Sequence, residues 1–475
     1  MLKKLLFVFL LLTLHISKAQ NVNIPDANFK SYLIYNTEIN TNGDFEIQVS
    51  EAAAFTGVIN CANMDIKDLT GIEAFINLTV LWCNTNKIQS LDVSKNKELA
   101  ILNCSQNWIA NLDVSKNTKL TELDCSTNLL TSLDVTRNTN LGNLKCYLNH
   151  LTNLDISKNT NLTMLYCYEN LLNTIDVSKN LILMTFDCSS NKLTNLDITK
   201  NLNLDFVKCA GNKLTNLDVT KNLNLNVLQC ELNLISSLDV SQNTGLVYLQ
   251  CGSNKLTTLD MSKNTNLFAL DCYENQLTNL DLSQNLNLGW LMCYDNQLTS
   301  LDLRKNTGLS LLSCHKNNLQ SLDLSNNILL SSLNCSFNQL QSLNVKNGNN
   351  TNVYEFDSTK NTSLTCIQVD DAVYSEANWI KRDGIASYNT NCGFVLSADN
   401  NARNPIKIFP NPVKDILNFS EDMTDIKIID MSGRTIKQIS NSSKNISTES
   451  LSKGIYIISF KNKSGNMIIQ KLIKN

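Results

Sequence analysis

The residues best suited to chemistry are sixteen cysteines, which could serve as nucleophiles, metal ligands or disulfide partners. Their spacing argues against those roles for most of them. From Cys83 to Cys335 they recur every 21 residues, and Cys61 precedes this run by 22. A fixed period puts each thiol at the same point of a repeated unit, stacked on its own copies in apolar surroundings where a thiolate is disfavoured. Beyond residue 19 there are only two histidines, His150 and His315. They fall about eight coils apart, roughly 38 Å at about 4.8 Å per coil, so they cannot form a His-based triad or cluster. Twelve aspartates also recur at 21-residue steps from Asp92 to Asp323. A carboxylate pair can do acid–base work, but the same group repeated at every step reads as architecture. Lysines three residues further on, such as Lys95, Lys116, Lys158 and Lys179, offset the mutual repulsion. No catalytic residue is expected, and enzyme is the weaker class.

The elements that position these residues follow from one unit, Leu120-x-x-Leu123-x-Cys125-x-x-Asn128-x-Leu130-x-x-Leu133-Asp134-Val135. Thirteen such units fill residues 78–350. Each holds two half-patterns, Leu120 to Asn128 and Leu130 to Asn138, too short for helices and with alternate apolar residues. Two short strands per coil are therefore expected, on opposite sides of a flattened right-handed solenoid. Leu and Cys face inward. The absence of proline between Pro25 and Pro405 suits a chain whose N–H groups feed parallel ladders. Asparagines such as Asn86, Asn107 and Asn128 fall at the turns, where their amides can bond backbone.

This pattern resembles the leucine-rich repeats, specifically a short bacterial variety with 21-residue nested units and Cys at the strand position. The resemblance covers residues 56–365 and implies a parallel-strand, β-rich solenoid with little helix that binds a protein or glycan. Fold alone does not choose the partner.

The ends differ from the array. Residues 1–19 read as a signal peptide, with Lys3 and Lys4, an apolar run from Leu5 to Leu14, and small residues Ser17 and Ala19 before Gln20. Ten apolar residues are too few to span a bilayer, so no transmembrane segment is expected in the mature chain. Residues 20–55 are expected to cap the array with helices near 27–35 and 50–55. Between them Asn40, Asn42, Asp44, Glu46 and Glu51 match spacings of an EF-hand-like calcium loop. Phe45 stands where such a loop needs glycine, which favours a plain polar turn over a calcium site. Residues 366–394 read as a C-terminal cap, with a short helix near 371–382. Cys366 and Cys392 lie off the ladder, and in an exported protein they are expected to form a disulfide.

After a polar linker at 395–403, three of the four prolines appear, and alternating strands are expected at 416–419, 425–430, 435–439 and 454–460 in a small β-sandwich. The motifs Phe409–Pro412, Asp430–Arg434, Leu451–Tyr456 and the basic end Lys471–Asn475 resemble the C-terminal sorting domain of type IX secretion cargo. The resemblance covers 404–475. It implies engagement of the type IX secretion machinery and release to, or display on, the outer surface of a Gram-negative bacterium.

Charge divides along the same boundary. Residues 20–403 carry 26 basic and 37 acidic side chains, a balance of −11, whereas 404–475 carry 11 and 6, a balance of +5. An acidic body without a basic stripe excludes nucleic acid as partner. Outward positions beside the aspartates hardly change between units, whereas those flanking each cysteine vary and collect aromatics. Tyr147, Tyr166 and Tyr168 form one group, and Tyr273, Trp290, Tyr294 and His315 another, with Tyr248 between them. Aromatics beside hydrogen-bonding groups suit recognition of a protein or polysaccharide. The bland alternative is that cross-strand rings stiffen the sheet. A secreted or cell-surface binding protein using the Cys-strand face is the expectation. A structural array or adhesin using the regular Asp/Ser face is the alternative.

Overall fold

The computed structural model describes residues 20–393, 408–430, 433–461 and 467–475. The expected signal peptide and linker lie outside these residues. The chain divides into two compact units, residues 1–183 and 184–475.

The first unit opens with helix α1 (Ala27–Tyr35), begun by the Asp26 carboxylate, which accepts from the Asn28 and Phe29 N–H groups at 3.0 Å each. Helix α2 (Val49–Ala54) carries a capping box between Gln48 and Glu51. Phe29, Leu33 and Ala52 of these helices are buried, so the cap turns an apolar side toward the array. Three-residue parallel strands follow at Val58–Asn60, Val80–Trp82, Ile101–Asn103, Glu122–Asp124, Asn143–Lys145 and Met164–Tyr166. Equivalent residues pair across coils, for example Leu102 with Leu123 and Leu123 with Leu144.

The second unit repeats this from Thr185–Asp187 to Glu355–Asp357, where Phe356 stands in the last strand. Phe356 stacks on Trp379 at 4.3 Å, Tyr388 meets both rings edge-on, and Arg382 lies over Tyr388. Helix α3 (Ala372–Asn378) is capped by Asp371. Cys366 and Cys392 are joined with their Cα atoms 5.9 Å apart. This aromatic, disulfide-closed layer ends the stack of leucines.

Coils are joined by the backbone ladder, for example Cys104 N–H to the Asp124 carbonyl at 2.8 Å, and by asparagine side chains at the bends. The Asn107 amide donates to the carbonyls of Cys83 in the preceding coil and Cys104 in its own, at 3.0 and 3.1 Å, while its oxygen accepts from Ile88 N–H at 3.0 Å. A second series acts differently at the other bend: fully buried Asn117 donates to two carbonyls of the preceding coil, Val93 and Asn96, at 2.9 and 2.8 Å, and its oxygen accepts no hydrogen bond among the described residues. The residue before each first-series asparagine takes a left-handed backbone, with φ of 53° at Gln106 and Thr127, and Gly211 holds the same place at 62°. Side chains there pay a conformational cost of order 1–2 kcal/mol that the clamp must offset.

The expectation of two strands in every coil is corrected. Among the described residues the second side pairs as strands only at Leu91–Asp92 with Leu112–Asp113, and through Ser321–Asp323, Ser342–Asn344, Cys366–Gln368 and Ser387–Asn389. Elsewhere the aspartate accepts from the N–H two residues on, as Asp134 does from Thr136 at 2.9 Å, and the backbone does not pair as strands. Asp92, Asp113, Asp323 and Asn344 make the same bond in strands that do pair, so that bond does not decide which coils form a ladder.

The C-terminal domain is an antiparallel β domain with strands Ile408–Phe409, Ile416–Asp430, Thr435–Ile439, Ser443–Ser447, Gly454–Lys461 and Met467–Lys474. The two strands expected at 416–419 and 425–430 are one long strand with shifts of register between Asn418 and Met423 and between Thr424 and Lys427. Its core gathers Leu417, Phe419, Ile428, Ile458, Phe460 and Leu472. The hairpin expected at 431–434 closes through the Gly433 N–H on the Asp430 carbonyl; residues 431–432 themselves lie outside the described residues.

The fourteen remaining cysteines, Cys61 and the ladder, are free and buried. Burial pushes the Cys104 and Cys146 thiols up to about 12. Intact protein is expected to show one disulfide by mass spectrometry, and alkylation of the other thiols only on unfolding; a bridge between adjacent coils would contradict the stacking. Asn107→Ala leaves the buried Ile88 N–H unpaired and takes one of two amide donors from the Cys83 and Cys104 carbonyls, which keep Asn86 and Asn128, and should cost about 1–3 kcal/mol, seen as a lowered melting temperature. Asp113→Ala, on the exposed side, should cost far less.

Candidate functional site

On the Cys-strand face of the first unit, Tyr147 and Tyr168 stack at 4.3 Å with planes 7° apart, and Tyr166 meets Tyr168 at 6.5 Å. All three are half-buried. Tyr147 and Tyr168 cover one another's faces, and Tyr166 is tilted by 58° against Tyr168. In the second unit Tyr273 stacks on Tyr294 at 4.8 Å and Tyr294 on His315 at 4.4 Å. The column can close because residue 252 is glycine: a Cβ there would fall 2.6 Å from the Tyr273 ring. Burial pushes the Tyr273 hydroxyl up to about 12 and holds His315 below its ordinary value. Ser313 Oγ lies 3.0 Å from His315 Nδ1, and Lys316 pairs with Asp295 at 2.9 Å beside the column.

Tyr248 and Trp290 stand apart from that column. Tyr248 donates to Asp271 at 3.4 Å, in a row in which Gln229 donates to Gln250 and Gln250 to Asp271, each at 2.7 Å. Burial raises the Asp271 and Glu231 carboxyls above the usual carboxylate range. Trp290 packs in a cluster with Val247, Phe268 and Ala269, and with Ile429, Ile457 and Ile469 of the C-terminal domain. Lys471 Nζ lies 5.9 Å from the Trp290 ring centroid.

Sequence reasoning missed Val247 and Phe268, which lie four residues before their cysteines. A signal was present: coils at that position otherwise carry Thr, Ser, Gly, Ala, Asp, Asn or Met, as in Thr121, Asp205 and Ser310. Two bulky apolar side chains in adjacent coils mark a covered patch.

The loop from Asn40 to Glu51 closes on itself. Asn40 Oδ1 accepts from Gly43 N–H at 3.1 Å, and Asp44 Oδ1 from Glu46 N–H at 2.7 Å. Asn42 Oδ1 accepts from Asp44 N–H at 2.8 Å, Glu46 pairs with Lys30 at 2.7 Å, and Glu51 accepts from Thr41 and Gln48 N–H. The side-chain oxygens of the loop accept from its own N–H groups and from Lys30. The Asp/Ser side is regular. A hollow there is lined by residues including Asp92, Asp113, Asp134 and Arg137.

A parallel ladder of 21-residue coils with inward Leu and Cys and asparagine at the bends is a leucine-rich-repeat solenoid. Residues 407–475 match the secretion system C-terminal sorting domain, so the tail is the type IX address that its motifs suggest. The chain is similar to the functional domain of InlJ from Listeria monocytogenes, described as including a cysteine ladder. Identity is 29% over 96% of this chain and 100% of that one, with a TM-score of 0.66. A leucine-rich-repeat protein of Leptospira interrogans shares the fold at 22% identity, covering 72% of this chain and 97% of that one, TM-score 0.60. YopM, a leucine-rich effector protein from Yersinia pestis, does so at 22%, covering 67% and 86%, TM-score 0.52. No curated protein matches the chain in sequence. Among the described residues no helix is long and apolar enough to cross a membrane.

The aspartates generate a pH prediction. The Asp134 carboxyl is lowered first by the Thr136 hydroxyl and then by its N–H; Asp155 is lowered first by the Ser157 N–H. A folded-state value below the unfolded one gives stabilisation that is full above about pH 4 and lost as pH falls through the folded value. Glu231 and Asp271, raised by burial, act in the opposite sense. Melting temperature should drop between about pH 5 and about pH 3, and a variant with Asn at Asp197, Asp218, Asp239 and Asp260 should drop less. An equal drop in both would show that the ladder carboxylates do not set acid stability.

Proposed function

We propose that the chain is a secreted or surface-held binding protein, without catalytic activity, that receives a protein partner on its Cys-strand face. The observation that carries this reading is the contrast between the two sides of one repeat. The Asp/Ser side repeats the same short polar set, as a scaffold would. The Cys side varies from coil to coil far more and concentrates Tyr, Trp and His next to Glu274 and Asp295. Stacked columns present ring edges and hydroxyls and keep few ring faces free, which suits a protein surface better than the flat stacking of a sugar. The sorting tail supports exposure outside the cell, where such a face can meet its partner.

An adhesin or structural array using the regular side is the second reading, favoured by the hollow along Asp92, Asp113 and Asp134. Protein and glycan arrays probed with the secreted protein separate the two. Trp290→Ala and Tyr294→Ala should weaken capture by about 2 kcal/mol or more, the range of anchoring aromatics, with melting changed by no more than roughly 1 kcal/mol each. Asp281→Ala and Asp302→Ala should leave capture unchanged. Loss of capture with the aspartate variants alone would move function to the regular side, and capture by glycans alone would make the ligand a polysaccharide.

A further inference from the structure

The Cys-strand face of the second unit is half-exposed at most of its outward positions, but two strands depart from the pattern. In Val227–Gln229 and Ala269–Asp271 all three residues are buried. The sorting domain covers Ala269 and reaches Val227, while Gln229 and Asp271 belong to the row that runs through Gln250. Ile457 and Ile469, each under one-tenth exposed, close on Phe268 and Ala269, with Ile429 at the margin. Phe268 lies flat over Gly289, where a Cβ would fall 2.3 Å from its ring, so the coil beside it is cut back to receive the ring. Gly433 reaches the same face further along: a Cβ on it would come within 2.9 Å of Val227 and 3.3 Å of Phe206. Lys471 completes the contact over Trp290.

These tail residues are not part of the domain's own core. Ile457 and Ile469 alternate with Ile458 and Ile468, which pack inward with Phe419 and Phe460. The domain therefore has two apolar sides, and the second is satisfied only by the solenoid. Charge favours the same pairing, since residues 20–403 carry −11 and 404–475 carry +5.

We propose that the sorting domain is a built-in occupant of the recognition face: while attached it covers the Val247, Phe268 and Trp290 patch, and its separation uncovers a surface for a partner presenting aliphatic side chains beside a lysine. This rests on the reading that the Cys-strand side is the binding side. The tail is then both the export address and the first ligand, and its chemistry specifies the kind of protein surface that follows it.

The test uses the full chain with a protease site inserted at 398–403. Hydroxyl-radical footprinting before and after cleavage compares Phe268 and Trp290 with Tyr147 and Tyr168, which lie outside the covered patch. Expected is a several-fold rise in oxidation of Phe268 and Trp290 once the tail is lost, with Tyr147 and Tyr168 unchanged. Retention of the cut tail through gel filtration, abolished by Ile457→Glu with Ile469→Glu, supports the contact equally. The uncut double variant should already show the raised footprint. Unchanged Phe268 and Trp290 oxidation after the tail has dissociated would overturn the proposal. On the protein array, cut protein should capture more than uncut protein. Equal capture by both forms despite a changed footprint would overturn the masking role, whereas capture by neither would count against the binding reading and leave the footprint to decide the cover.

Discussion

A chain that folds into coils of 21 residues makes a few hydrogen bonds within each coil, such as Asn96 N–H to the Val93 carbonyl and Leu99 N–H to the Asn96 carbonyl, and leaves most other backbone groups to the coils on either side. Those groups must be satisfied by a neighbouring coil or left buried and unpaired at a cost of about 1–3 kcal/mol each. The asparagine clamp answers this constraint. One amide bonds a carbonyl in its own coil and one in the coil before, and its oxygen takes an N–H from that preceding coil, as Asn107 does with Cys104, Cys83 and Ile88. Leucine burial stabilises the stack, but leucine can slide. The amides fix the register that lets Leu sit on Leu and Cys on Cys.

With register fixed from inside, the outer sides are free to differ. On one side aspartate folds back on its own backbone and needs nothing from the next coil. On the other the ladder is continuous through each unit, so outward side chains stand in columns near the strand spacing, close enough for rings to stack. Tyr273, Tyr294 and His315 are neighbours because their positions are equivalent, not because any local motif brings them together.

The period, the inward leucines and cysteines, both cap helices of the N-terminus and the aromatic columns were legible in the sequence, because each depends on residue type at a fixed offset. Three features were not. The left-handed residue at each turn is Gln106, Thr127 or Leu148 instead of glycine, so the usual marker is missing; the neighbouring amide imposes the backbone that the residue itself would avoid. The second-side strands were expected everywhere because Leu-Asp-Val alternation looks like a strand, and the same alternation stands both in coils that pair there, such as Leu91–Asp92 with Leu112–Asp113, and in coils that do not. The strand Ser443–Ser447 is polar throughout except Ile446, so it lacks the apolar alternation that marks a strand. Trp290 and Tyr248 were placed on the face correctly as outward residues; Val247 and Phe268 signal a covered patch beside Trp290, but its cover comes from a domain more than a hundred residues further along the chain, which the local pattern does not name.

Register between coils departs from 21 near the ends, at the pairings of Val58 with Val80, Ser332 with Glu355 and Leu343 with Ile367, and the clamps of Asn86 and Asn361 persist there. Between those points the Cys strands pair at a constant step of 21, each with the strand before and the strand after. A gene encoding such an array can gain or lose whole units by unequal recombination and still yield a folded product. The array's length is thus the quantity evolution can alter most freely. The number of columns available on the outer face can change in single steps, with both caps and the export address left intact.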